Sequence, residues 1–148
     1  MKKLLLFVLV IQFYSALSIS QDFWEGIIVP DSLNYRCMEM DPNGEIFLGM
    51  WGFEYPGGIY RSTDDAQTWQ YLGLDGKPVY ELEVCSNGDI LAGITHGIYK
   101  SNDNGNSWYE VYYSSGNMTS ILSLNNGYVF AGGHDNLHGI IRSKAGKQ

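Results

Sequence analysis

The chain has 148 residues, 9 Lys and Arg against 16 Asp and Glu, a formal net charge of −7 and 14% aromatic residues. That balance argues against a nucleic acid or an anionic membrane as partner, because both need Lys and Arg to meet phosphates. The length fits one domain, and two cysteines, Cys37 and Cys85, are too few for a disulfide scaffold.

Residues 1–20 read as a signal peptide. Lys2 and Lys3 make a basic start, Leu4 to Ile11 an apolar run, and Ala16, Ser18 and Ser20 a small-residue cleavage region. The apolar run is too short for a stable membrane span. No Cys stands at the cut for a lipid anchor, and no later stretch is apolar enough to insert into a membrane. Residues 21–148 are therefore expected to be secreted or periplasmic.

The exported part repeats one pattern three times. The first copy, about 35–74, reads "YRCMEMDPNGEIFLGMW" and then "GGIYRSTDDAQTWQYLGL". The second, 79–115, reads "VYELEVCSNGDILAGIT" and then "HGIYKSNDNGNSWYEVYY". The third, 118–148, reads "MTSILSLNNGYVFAGG" and then "HGIIRSKAGKQ". Ser62, Ser101 and Ser143 mark the register, a period near forty. Each copy centres on an Asn-Gly pair (Asn43-Gly44, Asn87-Gly88, Asn126-Gly127), the strongest short hairpin signal. Short runs of β-branched and aromatic residues flank these turns, with no sustained helical period. Three strands before each polar run and one after it predict an all-β fold of four-stranded antiparallel blades.

The polar runs "STDDAQTW" and "SNDNGNSW" fit an Asp-box pattern, Ser-x-Asp-x-Gly-x-Thr/Ser-Trp. On these motifs the chain resembles the Asp-box (bacterial-neuraminidase-type repeat) β-propeller superfamily over most of its exported length. Sialidase-like and sortilin-like propellers and the photosystem II assembly factor family carry such repeats. Ser101, Asp103, Gly105, Ser107 and Trp108 match the pattern. Ser62, Asp64, Thr68 and Trp69 match it in the first copy, where Ala66 replaces the Gly; the third copy lacks the Asp and the Trp. The resemblance implies a structural role for the boxes, on the face away from the binding site. Read as an EF-hand-like loop, the second box lacks the acidic residues required at its first and last places.

The stretch "FWEGIIV", residues 23–29, lines up with the outer strands "WQYLGL" and "WYEVYY", whereas the third copy has no outer strand. Counted with this lone strand, the chain makes a partial propeller of about three blades. Closed rings typically need about four to eight. Either two or more chains complete one ring as a homo-oligomer, or the chain is a truncated piece of a longer protein. Both readings stay open. Cys37 and Cys85 occupy non-equivalent repeat positions and read as separate thiols more readily than as a bridge.

Candidate binding residues lie on the connections between second and third strands, lengthened at "WGFEYPG" and "GHDNLHG". Trp51, Phe53 and Tyr55 supply stacking faces; Glu54, His96, His134, Asp135 and His138 supply polar contacts. Such loops suit a glycan or an extracellular protein, although lengthened loops also collect these residues with no ligand. A metal site is not expected, since one loop rarely supplies three converging ligands, and no cofactor motif is present. Enzyme readings find little support. Arg61 and Arg142 share the repeat position of Lys100, which marks them as scaffold, and the Arg-Ile-Pro element of sialidases is absent. The sequence therefore reads as an exported non-catalytic binding module, the alternative being a truncated sialidase-type glycoside hydrolase whose catalytic blades lie elsewhere.

Overall fold

The computed structural model describes residues 25–29, 34–51, 57–134 and 139–143. Strands β1 (Tyr35–Met40), β2 (Ile46–Met50), β3 (Gly58–Ser62) and β4 (Gln70–Tyr71) form a four-stranded antiparallel sheet in chain order. Strands β5 (Val79–Val84), β6 (Ile90–Ser101), β7 (Tyr109–Ser123), β8 (Val129–Gly133) and β9 (Ile140–Arg142) follow in a second sheet, also antiparallel and in chain order. The described residues include no helix.

The second sheet is less simple than its strand order. A straight strand of the 12 residues in β6 would hold its ends about 36 Å apart. Yet Lys100 Nζ lies 2.6 Å from Asp89 Oδ2, so β6 doubles back on itself. The reversal falls at His96 (φ 70°) and Gly97 (φ 152°). Gly97 is required there: a side chain would also strike the Tyr112 carbonyl. The two arms of β6 thus match β2 and β3 of the first sheet. Strand β7 serves two units. Its first part, Tyr109–Tyr113, pairs with β6, and its second, Met118–Ser123, pairs with β8.

The chain is accordingly all-β, with antiparallel blades consistent with part of a β-propeller. The first two blades have four strands each and the third has three among the described residues. The Asn-Gly pairs sit where inner and second strands turn, with Gly44, Gly88 and Gly127 at φ 83° to 88°. Glu25–Val29 carries no strand pairing. The outer strand expected over 23–29 is therefore unpaired in the single chain, with Phe23 and Trp24 outside the described residues. Its expected partner, β9, belongs to the far end of the array, two seams away.

Two apolar seams hold the blades face to face. The first buries Phe47 and Ile59 of the first blade, with Leu72 and Leu74 after them, against Val79, Leu82 and Ile90 of the second. The second seam repeats this one period on: Leu91 and Ile98 meet Met118, Ile121 and Ala131. Small residues in the second strands let the backbones approach. A methyl group on Gly49 would lie 2.7 Å from Val79 Cγ1, and one on Gly93 would lie 2.5 Å from the Met118 carbonyl oxygen. Cys37 belongs to the first seam and Cys85 to the second, both as free thiols. Burial, with help from the Glu81 carboxylate, pushes the Cys37 thiol up to about 12.

Because a backbone carbonyl cannot rotate away as a side chain can, Gly93→Ala should destabilise the chain by about 1–3 kcal/mol. Urea unfolding followed by circular dichroism would measure this; an unchanged midpoint would show that the second seam is looser than described.

Candidate functional site

Two polar turns close the first two blades at one rim. In the first, the Asp64 carboxylate accepts the Thr68 amide (2.8 Å) and the Thr68 hydroxyl (2.6 Å), while Ser62 Oγ accepts the Ala66 amide (2.9 Å) and donates to Asp64 (2.8 Å). In the second, Asp103 accepts the Ser107 amide and hydroxyl at 2.8 and 2.6 Å, and Ser101 accepts the Gly105 amide at 2.8 Å. A turn this tight leaves backbone amides without a ladder partner, and a short carboxylate satisfies them locally. Both Asp carboxyls are accordingly held below the usual range, first by the Thr68 or Ser107 hydroxyl and then by the amide of the same residue.

The two turns differ at one position. Ala66 (φ 65°) adopts the left-handed backbone that Gly105 (φ 86°) adopts in the second turn. The Ala therefore does not prevent the turn; it forms with a residue that resists the conformation. The tryptophans differ as well. Trp108 Nε1 donates to the carbonyls of Leu72 (3.0 Å) and Gly105 (3.1 Å), tying the second blade to the outer strand of the first. Trp69 Nε1 is buried with no hydrogen-bond partner.

The basic residues at the repeat position before each polar turn are occupied by their own scaffold. Arg61 donates to Gln70 Oε1 (2.9 Å) and to the Asn104 carbonyl (3.1 Å), and lies 3.6 Å from Glu45. Lys100 pairs with Asp89, and Arg142 sits 5.1 Å from the Tyr128 ring centroid. Arg36 sits against Tyr80 at 5.8 Å. Arg36 and Arg61 belong to the first blade and Arg142 to the third. Glu83, on β5, accepts the Ser123 amide at 2.7 Å and so bridges the second seam. Glu81 is raised by burial and then by the Glu39 and Glu83 charges.

The opposite rim carries the described part of the expected binding set. Trp51 N donates to the Asn34 carbonyl (2.8 Å), Thr95 N to Pro78 (3.4 Å) and His134 N to Asn117 (3.0 Å). These bonds are equivalent, one per blade, so Trp51, Thr95 and His134 occupy the same corner in successive units, with His96 adjoining the second. Trp51 is 37% exposed, and His96 and His134 are exposed too. Phe53, Glu54, Tyr55, Asp135 and His138 lie outside the described residues.

A feature not read from the sequence is a cleft of about 900 Å³ along the second seam, lined by Leu91, Ile98, Val111, Tyr112, Val129 and Ile141 among others. Its signal was present in the repeats: the third copy lacks the tryptophan that the second copy places against the first seam.

No family model matches the sequence. Over 116 residues, 74% of this chain, it is 31% identical to the photosystem II assembly lipoprotein Ycf48 of Synechococcus sp. (strain CC9902). The match covers 34% of that relative, so the chain spans about a third of its length.

Two expectations follow from the polar turns. Ala66→Gly should stabilise the chain by about 0.5–1 kcal/mol by relieving the left-handed Ala, offset in part by unfolded-chain entropy. Gly105→Ala should destabilise it, because a methyl there would lie 2.5 Å from Leu72 Cδ1 at a positive φ. Thermal melts of the two variants should shift in opposite directions; shifts of one sign would refute the equivalence of the turns. A carboxyl whose folded pKa is lowered adds stability above its unfolded value, about 4, and that stability is lost as pH falls through the folded value. Glu81, raised, acts in the opposite sense, since its protonation relieves a buried charge. Melting temperature should therefore fall on acidification below about pH 4, and an Asp64→Asn, Asp103→Asn double variant should melt lower at neutral pH with a flatter acid limb.

Proposed function

We propose that the chain is an exported, non-catalytic propeller module that holds another protein against the rim carrying Trp51, His96 and His134. Phe53, Glu54, Tyr55, Asp135 and His138, which follow these corners in the sequence, belong to the same proposed set. The observation that supports this most is the repeated corner geometry. Three successive blades present the same backbone position at one rim, and two of the three fill it with a large amphipathic ring, Trp51 or His134. Such rings bring contact area with a polar handle and lose little rotamer freedom on binding. Likeness to a protein named for photosystem assembly favours a protein partner. Further blades, from a second copy or from a longer chain, complete the ring around this rim.

A glycan is the second reading, favoured by the flat face of Trp51. The sialidase-type alternative is disfavoured by the arginines. Arg61 is engaged by Gln70 and the Asn104 carbonyl, Arg142 lies against Tyr128 and Arg36 against Tyr80, which leaves no convergent clamp among them for an acidic sugar.

A photo-crosslinking residue placed at Trp51 or His134 in the native host should capture one common protein. The same probe at Asn125, on the rim of the Asn-Gly turns, should not. Absence of adducts at both Trp51 and His134 would overturn the reading. Binding of the purified chain on a glycan array, weakened about tenfold by Trp51→Ala, would move the assignment to a sugar.

A further inference from the structure

The cleft in the second seam has a counterpart in the first seam that is already filled, and its occupant is Trp108. One repeat on, the residues around Trp108 become the walls of the cleft: Phe47 corresponds to Leu91, Ile59 to Ile98, Leu72 to Val111, Ile90 to Val129 and Tyr99 to Ile141. The acceptor corresponds as well. Trp108 donates to the Leu72 carbonyl, and Val111, 47% exposed, stands in that place beside the cleft. The cleft therefore has the walls of a tryptophan site, and the carbonyl position to receive an indole N–H.

The same end of the molecule has an open strand edge. Among the described residues, β9 pairs only with β8, and Ile140 on it is 77% exposed. In the first two blades the outer strand follows the tryptophan directly. Residue Trp+1 pairs with the basic residue of the third strand: Gln70 with Arg61 and Tyr109 with Lys100.

One segment of this chain has the matching pattern, and its described residues, 25–29, carry no strand pairing. Trp24 is followed by Glu25, Gly26, Ile27, Ile28 and Val29, a run without strand pairing in which Ile28 is 90% exposed. Laid along β9 in the repeat register, Glu25 meets Arg142, so a carboxylate faces the basic residue of β9. Trp24 then faces the cleft. The fit also accounts for the buried Trp69 N–H. By the rule that Trp108 follows, Trp69 should donate to an outer-strand carbonyl of the preceding blade, at the position that Ile27 would hold.

From these observations we infer that two copies of the chain exchange residues 24–29. Each N-terminal segment adds to β9 of the other copy, Trp24 enters its cleft, Glu25 pairs with its Arg142, and the Ile27 carbonyl receives the Trp69 indole of its own chain. Counted on the described residues, two copies give six blades, within the usual range of closed rings, whereas three would give nine. Strand addition at an open edge supplies main-chain hydrogen bonds, and the cleft supplies specificity. The inference rests on the reading of the chain as a module that needs further blades.

The test is the mass of residues 21–148 by light scattering across a dilution series, with circular dichroism to confirm the fold. A dimer is expected. Glu25→Arg and Arg142→Glu each change an exposed charge and should each weaken dimerisation about tenfold or more, while the double variant, with the pair reversed, regains it. Trp24→Ala should weaken it too, with the monomer still folded. A dimer indifferent to all these changes would overturn the strand exchange and leave the module reading in place. A folded monomer at every concentration that still crosslinks its partner through Trp51 would overturn the exchange alone. A folded monomer without such crosslinks would remove both.

Discussion

A blade of this kind is apolar on both faces, and the seam between neighbouring blades is where that surface is buried. Phe47, Ile59 and Leu72 are covered because Val79, Leu82 and Ile90 of the next blade lie against them. The close approach depends on glycine in the second strands, where Gly49 and Gly93 leave room only for a hydrogen. The stacking is therefore both the source of stability and the reason a blade array has two unsatisfied ends. At the first blade these ends show as Met38 and Met40, each more than half exposed. Among the described residues, Ile140 and the edge of β9 show them at the third.

The polar turns solve a separate problem, at right angles to the seam. A hairpin between third and outer strands must reverse in few residues, and its inward-facing amides have no ladder partner. One Ser and one Asp accept them in each turn, with the same distances in both copies to within about 0.1 Å. The turns also couple blades. Asn104 of the second turn donates to Glu45 (2.9 Å), and its carbonyl accepts from Arg61, both in the first blade. Charged residues that resemble a catalytic inventory in the sequence are in this way consumed by the scaffold.

Much of this architecture is legible in the residues themselves. The Asn-Gly pairs mark the inner hairpins, the period near forty marks the units, and the switch from alternating apolar residues to Ser-x-Asp marks the outer turn. Other features are not legible. That β6 and β7 each run unbroken through a connection is one, although the second copy already divides before His96 and the third copy starts after Gly116-Asn117. The candidate rim was readable as a class of loops, yet the shared corner of Trp51, Thr95 and His134 depends on backbone bonds that no local pattern encodes. The cleft was hidden because a missing tryptophan leaves no residue to notice.

The sequence by itself determined the repeat, its β character, the polar turns and the outer-strand likeness of residues 23–29, because each depends on side-chain type and spacing over a few neighbouring residues. Only the tertiary structure decided which apolar faces are covered, which carboxylates and guanidinium groups are engaged, and where a tryptophan-sized space is left. Those depend on which blade lies against which, over separations of about forty residues, and a contact at that range is set by packing rather than by local propensity.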